Sequence, residues 1–477
     1  MNDMNRTAII GSAAATLMTG MAFAGLELGA PFADHAVLQR GMEVPVWGTA
    51  TAGSEVTVSF SGEKVTGTTG ADGKWMVRLP KMAASKEGRE LVVTECKPGW
   101  LGSTVDTKTV GDVLVGEVWF ACGQSNMECP IWHEGNSRYR DGRGAMMTAM
   151  TRMPDVRFVK TPRTAMSAKP GKLKAEWLSF EPKSFVAPPE SDHWKLLSAV
   201  AWYYARELRI ALDIPIGIVE SSFAGTGIDA WIPGGGLWNS MVAAYAPMAM
   251  RGMIWYQGEH DAKEPSLYCG KMHALYDGWA KAFGNPRLKL YFAQLAPFKT
   301  SWLGLAQAQM KFAEEEPNAA IAVTSDVGNP DDLHPNEKET VARRLAIHAL
   351  KRDYGFDIPE DDSPVFRSAE FRDDLAVLKF DHVKTWYVYN RDFTFGVPFE
   401  LAGADGVWKP ARLVDCGEGF LENQKRGFIG APELHLRSEG VGHPVAVRYM
   451  GGERPTGALY NQASLPLGPF VFLPEGK

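Results

Sequence analysis

Cysteine is scarce. Five residues (Cys96, Cys122, Cys129, Cys269, Cys416) are scattered over 477 positions, and no C-x-x-C occurs. That excludes a disulfide-dense scaffold and gives no redox or zinc-ribbon motif. Cys122 and Cys129 form the closest pair for a bridge in an oxidising compartment, and the odd count leaves at least one thiol free. An excess of either charge is also missing. Lys plus Arg number 50 against 56 Asp plus Glu, a net −6, so nothing draws the chain generally to nucleic acid or anionic lipid. Beyond the first 24 residues no apolar run approaches the ~18 residues that a membrane-spanning helix needs. Among ten His there is no H-E-x-x-H and no close His pair, which disfavours a metallohydrolase. The P-loop and a G-x-G-x-x-G after a strand are absent, which disfavours nucleotide binding. No repeat of about 20 to 50 residues is visible.

What is present is ordinary globular material, with 45% hydrophobic and 22% charged residues, enough for about three domains at roughly 150 residues each. Fifteen Trp, thirteen Tyr and twenty-three Phe suit cores and interfaces, and aromatic faces also line sugar-binding clefts. Residues 1–24 read as a secretory signal. Arg6 supplies the basic start, Thr7 to Thr19 the apolar stretch, and Ala22-Phe23-Ala24 the small-residue cleavage site. The mature chain is therefore expected to begin at Gly25, secreted or periplasmic, without membrane insertion.

Short strands with turn punctuation fill residues 25–111: Val44 to Gly48, Glu55 to Phe60, Trp75 to Leu79 and Leu91 to Thr94. They predict an N-terminal β-sandwich module. Residues 112–355 alternate buried strands with helices. The strands are Glu117 to Ala121, Ile216 to Glu220, Met253 to Gln257, Leu288 to Ala296 and Ala319 to Ser325. One helix runs from Ser198 to Leu212, and another opens at Pro335 with Val341, Leu345 and Ala349 on its apolar face. This predicts an α/β fold with a central, doubly wound parallel sheet, whose ligands sit beyond the strands' C-terminal ends. Residues 138–192 are basic, proline-bearing and aperiodic, and read as an insertion over that sheet. Strand texture returns in 356–477 as a C-terminal all-β module, with Ala376 to Phe380, Thr385 to Tyr389 and Ala446 to Tyr449.

Polar residues cluster where those strands end. Gly123-Gln124-Ser125-Asn126-Met127 follows the first, Ser221-Ser222-Phe223-Ala224-Gly225-Thr226 the second, and Gln257-Gly258-Glu259 closes the third. The fifth leads into Asp331-Asp332-Leu333-His334-Pro335. A serine hydroxyl is a poor nucleophile at its own pKa, so a neighbouring imidazole must take its proton, and an acid can orient that imidazole. Met127 stands at the second Gly of G-x-S-x-G, which argues against an ordinary α/β-hydrolase elbow.

Gly123 to Met127, Arg251-Gly252-Met253-Ile254-Trp255-Tyr256-Gln257-Gly258-Glu259 and Asp332-Leu333-His334-Pro335 resemble the sialate O-acetylesterase family, a branch of the SGNH/GDSL-type hydrolases. Further stretches resemble the family too: Ala36 to Arg40 with Val44 to Gly48, Pro215 to Val219 with Asp229-Ala230-Trp231, and Pro444 to Tyr449 with Leu459 to Asn461 and Pro469-Phe470. The resemblance implies an SGNH-type, flavodoxin-like central domain, with Ser125 as nucleophile and His334 as general base. The N–H groups of Ser125 and Gly225 and the side chain of Gln257 would form the oxyanion hole, each donor worth about 3 kcal/mol. Gln124, Asn126 and Glu259 would support these groups. The orienting acid is open: Asp331 has the superfamily's D-x-x-H spacing, Asp332 matches the sialate esterase branch, and a Ser-His dyad with a backbone carbonyl is the third arrangement. Ala224, Phe223, His260 and Asp261 depart from the family pattern and bear on substrate choice.

The reading is a secreted carbohydrate O-acetylesterase acting through a serine acyl-enzyme, with neither metal nor organic cofactor. Its partner would be an acetylated carbohydrate. Sialic acid would want a basic contact, for which Arg138, Arg140 and Arg143 are candidates, whereas a plant polysaccharide would stack on Trp132 or Trp231. A non-catalytic carbohydrate-binding protein is the competing class.

Overall fold

The computed structural model describes residues 25–97, 104–131, 152–180, 197–299, 302–328, 330–388, 398–414, 428–429, 432–452 and 459–473. The expected leader, Cys416, Trp132, Arg138, Arg140 and Arg143 lie outside the described residues.

One strand organises the molecule. β1 (Thr104–Gly123) is exposed in its first half and continuously buried from Val113 onward. Its first half pairs antiparallel with Ser85–Lys97 and its middle runs parallel to Val37–Gln39. Its second half lies at the centre of a mixed sheet. The helix α1 (Ser125–Glu128) follows directly. Then come β2 (Met153–Lys160), β3 (Leu178–Phe180), α2 (Ala199–Leu212), β4 (Ile216–Ser222), β5 (Gly252–Tyr256) and α3 (Pro265–Ala282). The series ends with β6 (Lys289–Ala293), α4 (Leu303–Glu315), β7 (Ala319–Ala322) and α5 (Lys338–Arg352). The order across the sheet is β3-β2-β4-β1-β5-β6-β7, parallel except for β3 at its edge. Four N-terminal strands extend it to eleven. The expected boundary at 111/112 therefore falls inside a single strand, and one apolar core continues from Leu26 to Ala349.

Met153 to Lys160, expected to belong to an insertion over the sheet, is instead a strand within it. Two basic residues obscured its apolar pattern. Arg157 is buried against the Asp112 carboxylate and Lys160 against that of Glu220. Three charges likewise meet at Glu117, buried within β1. Arg40 donates to it at 2.6 Å and Arg251 at 3.0 Å, joined by Gln39 at 2.9 Å. The Leu38-Gln39-Arg40 stretch thus anchors the N-terminal strands to the α/β unit, away from any chemistry.

Helix α2 starts where the periodicity placed it, because Ser198 caps it by accepting from the N–H of Ala201 at 3.1 Å. Helix α5 begins at Lys338, later than Pro335, because the preceding residues are held in a turn that carries His334. Helices α2 and α5 pack together, as do α3 and α4. No helix among the described residues is long and apolar enough to cross a membrane. Cys96, Cys122 and Cys269 are free thiols, so the Cys122–Cys129 bridge is not formed.

A second core, from Ala376 to Phe470, belongs to a β-rich C-terminal region with a seven-stranded and a three-stranded sheet. Asp361 ties the chain leading into it to α5. It accepts from His348 at 3.2 Å, Lys351 at 2.9 Å and Arg352 at 2.5 Å. Burial pushes this carboxyl up, but those three partners outweigh it and hold Asp361 well below the usual carboxylate range. A folded-state pKa below the unfolded one adds stability at neutral pH that is lost as pH falls below about 4. Asp361→Asn is expected to cost about 2 kcal/mol at neutral pH, and urea unfolding should show that difference shrinking in acid. A pH-independent difference would contradict the assignment.

Candidate active site

Strand register brings the expected residues together. Ser222 of β4 and Tyr256 of β5 both lie opposite Gly123, the last residue of β1. The segments after three adjacent strands therefore leave the sheet at one level. Gly123 has φ +150°, and a Cβ there would stand 2.2 Å from the carbonyl oxygen of Tyr256. Glycine lets β1 end against β5 while the Gln124 N–H donates to that same carbonyl at 3.1 Å. The chain turns at once into α1, with half-buried Ser125 as its first residue.

Buried His334 presents Nε2 at 3.0 Å from the Ser125 Oγ, joining residues 209 positions apart. The two candidate acids differ. Asp332 is committed to the main chain, where its Oδ1 accepts from the N–H of His334 at 2.9 Å. Asp331 lies at the exposed rim of the same turn.

Asn126 reaches two other segments, donating to Glu259 Oε1 at 2.5 Å and to the carbonyl of Leu333 at 3.1 Å. Its amide oxygen accepts from the buried ammonium of Lys338 at 2.5 Å. Glu259 is partly exposed as a residue, but its carboxylate is buried. Burial raises the Glu259 pKa and lowers that of Lys338. Gln124 accepts at Oε1 from the N–H of His260 at 3.3 Å, and His260 itself is exposed.

The loop after β4 turns at Gly225, whose φ of +74° favours glycine. Glu128, at the end of α1, fixes this loop by accepting from the Ala224 N–H at 3.0 Å. Arg163 holds that carboxylate at 2.6 Å and lies over the Phe223 ring at 5.0 Å. The N–H groups of Ser125 and Gly225 carry no hydrogen bond among the described residues.

Gln257, expected as the third oxyanion donor, is employed differently. Its amide N–H groups go to the carbonyl of Thr226 at 3.1 Å and to Asp261 Oδ2 at 2.7 Å, while Tyr268 donates to its oxygen at 2.8 Å. The side chain of Gln257 thus carries its amide under the loop to the Asp261 carboxylate. Asp261 also accepts from the Ile228 N–H at 3.0 Å, so the pair pins the segment bearing Gly225. Trp231, expected as a stacking surface, is buried and donates its indole N–H to Thr226 Oγ1 at 3.1 Å. A cavity of about 340 Å³ between α4 and the C-terminal region, lined by Met310, Arg352, Arg367 and His382, shares no residue with this site.

Residues 115–351 match the carbohydrate esterase family described as sialic acid-specific acetylesterase. A carbohydrate acetylesterase from Xanthomonas citri is 33% identical, with TM-score 0.79 over 94% of this chain and 99% of that one. The chain belongs to the sialic acid-specific acetylesterase family of carbohydrate esterases. Sialate O-acetylesterase from Pongo abelii is 27% identical over 89% of this chain and 88% of its own. That from Rattus norvegicus is 26% identical over 73% and 78%. The protein is thus a carbohydrate esterase with acetylesterase relatives along most of its length.

Three residues of this esterase site escaped the sequence reading: Glu128, Arg163 and Lys338. Each is charged and, read along the chain, looks like a solvated surface residue. The available signal was position, since Glu128 closes the turn of Ser125 and Lys338 lies four residues after His334.

Proposed function

We propose that the protein is an exported carbohydrate O-acetylesterase that hydrolyses acetyl esters through an acyl-enzyme on Ser125. The 3.0 Å contact between His334 Nε2 and Ser125 Oγ carries this reading. Ser125 Oγ attacks the acetyl carbonyl carbon while its proton passes to His334 Nε2. The carbonyl electron pair moves onto oxygen, where the N–H groups of Ser125 and Gly225 receive the charge, each contributing about 3 kcal/mol. As the tetrahedral centre collapses, the bond to the sugar oxygen breaks, and that oxygen takes the proton from His334. Water then repeats the sequence on the acetyl-serine, His334 taking its proton, and acetate leaves.

Asp332 shapes the turn through the His334 main chain, and on this reading Asp331 orients the imidazole. Gln257, Asp261 and Glu128 hold the Gly225 loop. The same reading takes the helix pairs as covering the two faces of a doubly wound sheet, the β-rich stretch from residue 25 as built onto that sheet through β1, residues 356–477 as an accessory β module, and residues 1–24 as a leader. Substrate class is decided by acetate release from acetylated mucin compared with acetylated xylan, using mature protein with its N-terminus expected at Gly25. Faster release from mucin supports sialic acid as the acetylated sugar. Preference for xylan moves the assignment to plant polysaccharide, and release from neither, with no turnover of 4-nitrophenyl acetate, leaves a binding protein.

A further inference from the structure

We infer that Lys338 is a positioning residue for this reaction, its buried ammonium fixing Asn126 as the side chain that ties the serine, histidine and β5 segments together. The inference rests on the Ser125–His334 reading and adds a part that this reading does not require.

Lysine is almost never fully buried unless paired, yet Lys338 is completely buried four residues beyond His334. Its Nζ donates to Asn126 Oδ1 at 2.5 Å and lies 5.3 Å from the centre of the Tyr256 ring. An ammonium only donates, so it accepts one orientation of the neighbouring amide, with the oxygen facing it. The amide nitrogen is then forced to the other side, where its two hydrogens meet Glu259 Oε1 and the Leu333 carbonyl. A neutral side chain at 338 would leave the buried Asn126 Oδ1 without its donor, so the amide would keep its two acceptors but lose the contact that fixes its position between them.

Those bonds sit one residue from the reacting groups. Asn126 follows Ser125, and Leu333 precedes His334. A misplacement of about 1 Å at such a contact costs on the order of 10²-fold in rate.

Charge points the same way. The Glu259 Oε2 is buried without a hydrogen bond, so the carboxylate depends on a nearby cation. Lys338 supplies it across the Asn126 amide, whose dipole runs from the anion to the cation. The other charged or titratable groups around the ammonium are Cys129, Asp332 and Glu337, with Tyr256 beneath it. Burial disfavours the charge on both Lys338 and Glu259, so removing one partner strands the other.

The test compares Lys338→Met, Glu259→Gln and the double variant in the full chain, with 4-nitrophenyl acetate as substrate. Lys338→Met should lower kcat about 10²-fold while KM stays within about three-fold. It should still react stoichiometrically, though slowly, with a fluorophosphonate at Ser125. Adding Glu259→Gln should recover part of the lost kcat, because no uncompensated carboxylate then remains. Wild-type kcat in Lys338→Met would overturn the inference. Additive losses without recovery would overturn the charge argument and reduce Lys338 to packing. If Lys338→Met does not fold, the double variant carries the test, with kcat expected below and KM near wild type; wild-type kcat there overturns the inference. Should Ser125→Ala be inactive while Lys338→Met is fully active, the present inference fails alone. An active Ser125→Ala would remove the reading beneath it.

Discussion

Ser125→Ala is expected to lower kcat for acetyl ester hydrolysis by at least about 10⁴-fold, with the fold and melting temperature essentially unchanged. The size follows from what is lost. Without Oγ no acyl-enzyme forms, and His334 has no hydroxyl to deprotonate at 3.0 Å. The Ser125 and Gly225 N–H groups remain, so a residual rate above water should persist. Stability should hardly move, because Ser125 is half-buried and its side chain serves no cap: Gln124 occupies the N-cap of α1 without a side-chain hydrogen bond. Acetate release by purified Ser125→Ala, followed against wild type, checks this. Equal rates in the two proteins would remove the serine mechanism.

Asp331→Asn should give the second largest effect, about 10²- to 10⁴-fold in kcat. Asp332→Asn should cost no more than about ten-fold, because an amide oxygen can still accept from the His334 N–H now held at 2.9 Å. An isosteric amide at 331 cannot favour the imidazolium and permits the wrong tautomer. Steady-state kinetics of the two variants distinguish the arrangements. A large loss in Asp332→Asn with little in Asp331→Asn would exchange their roles, and small losses in both would leave a Ser-His dyad.

How much of this was legible in the chain varies with the kind of residue. Apolar strands announced themselves: Ile216–Ser222, Gly252–Tyr256, Lys289–Ala293 and Ala319–Ala322 lie within two or three residues of their expected bounds. The strand Met153–Lys160 did not, because Arg157 and Lys160 pair with acids from other strands, and nothing in a linear pattern shows those partners. The 111/112 boundary marked a real change from half-exposed to buried texture, but the change occurs along one strand rather than between two bodies.

At the site, Ser125, His334, Asn126 and Glu259 were legible as unusual polar residues at strand ends, and the structure brings them together. Gln257 was legible as part of the same group, but the partners of its amide were not. Its residue type fits an oxyanion donor, and only the positions of Thr226, Asp261 and Tyr268 show that the amide is already engaged. Trp231 shows the same limit, since its burial depends on how the loop after β4 folds back. Glu128 and Lys338 were invisible as functional residues because their partners, Arg163 with Ala224 and Asn126, come from distant segments. Local spacing reveals where chemistry can sit, and long-range pairing decides which side chains are free to perform it.

Acid quenching of the wild-type enzyme during turnover of 4-nitrophenyl acetate, followed by peptide mapping by mass spectrometry, tests for the acyl-enzyme itself. The mass of one acetyl group is expected on the peptide containing Ser125, absent from Ser125→Ala and strongly reduced in His334→Ala. An acetyl group on another residue that is competent for turnover, with Ser125 unmodified, would contradict the acyl-enzyme on Ser125.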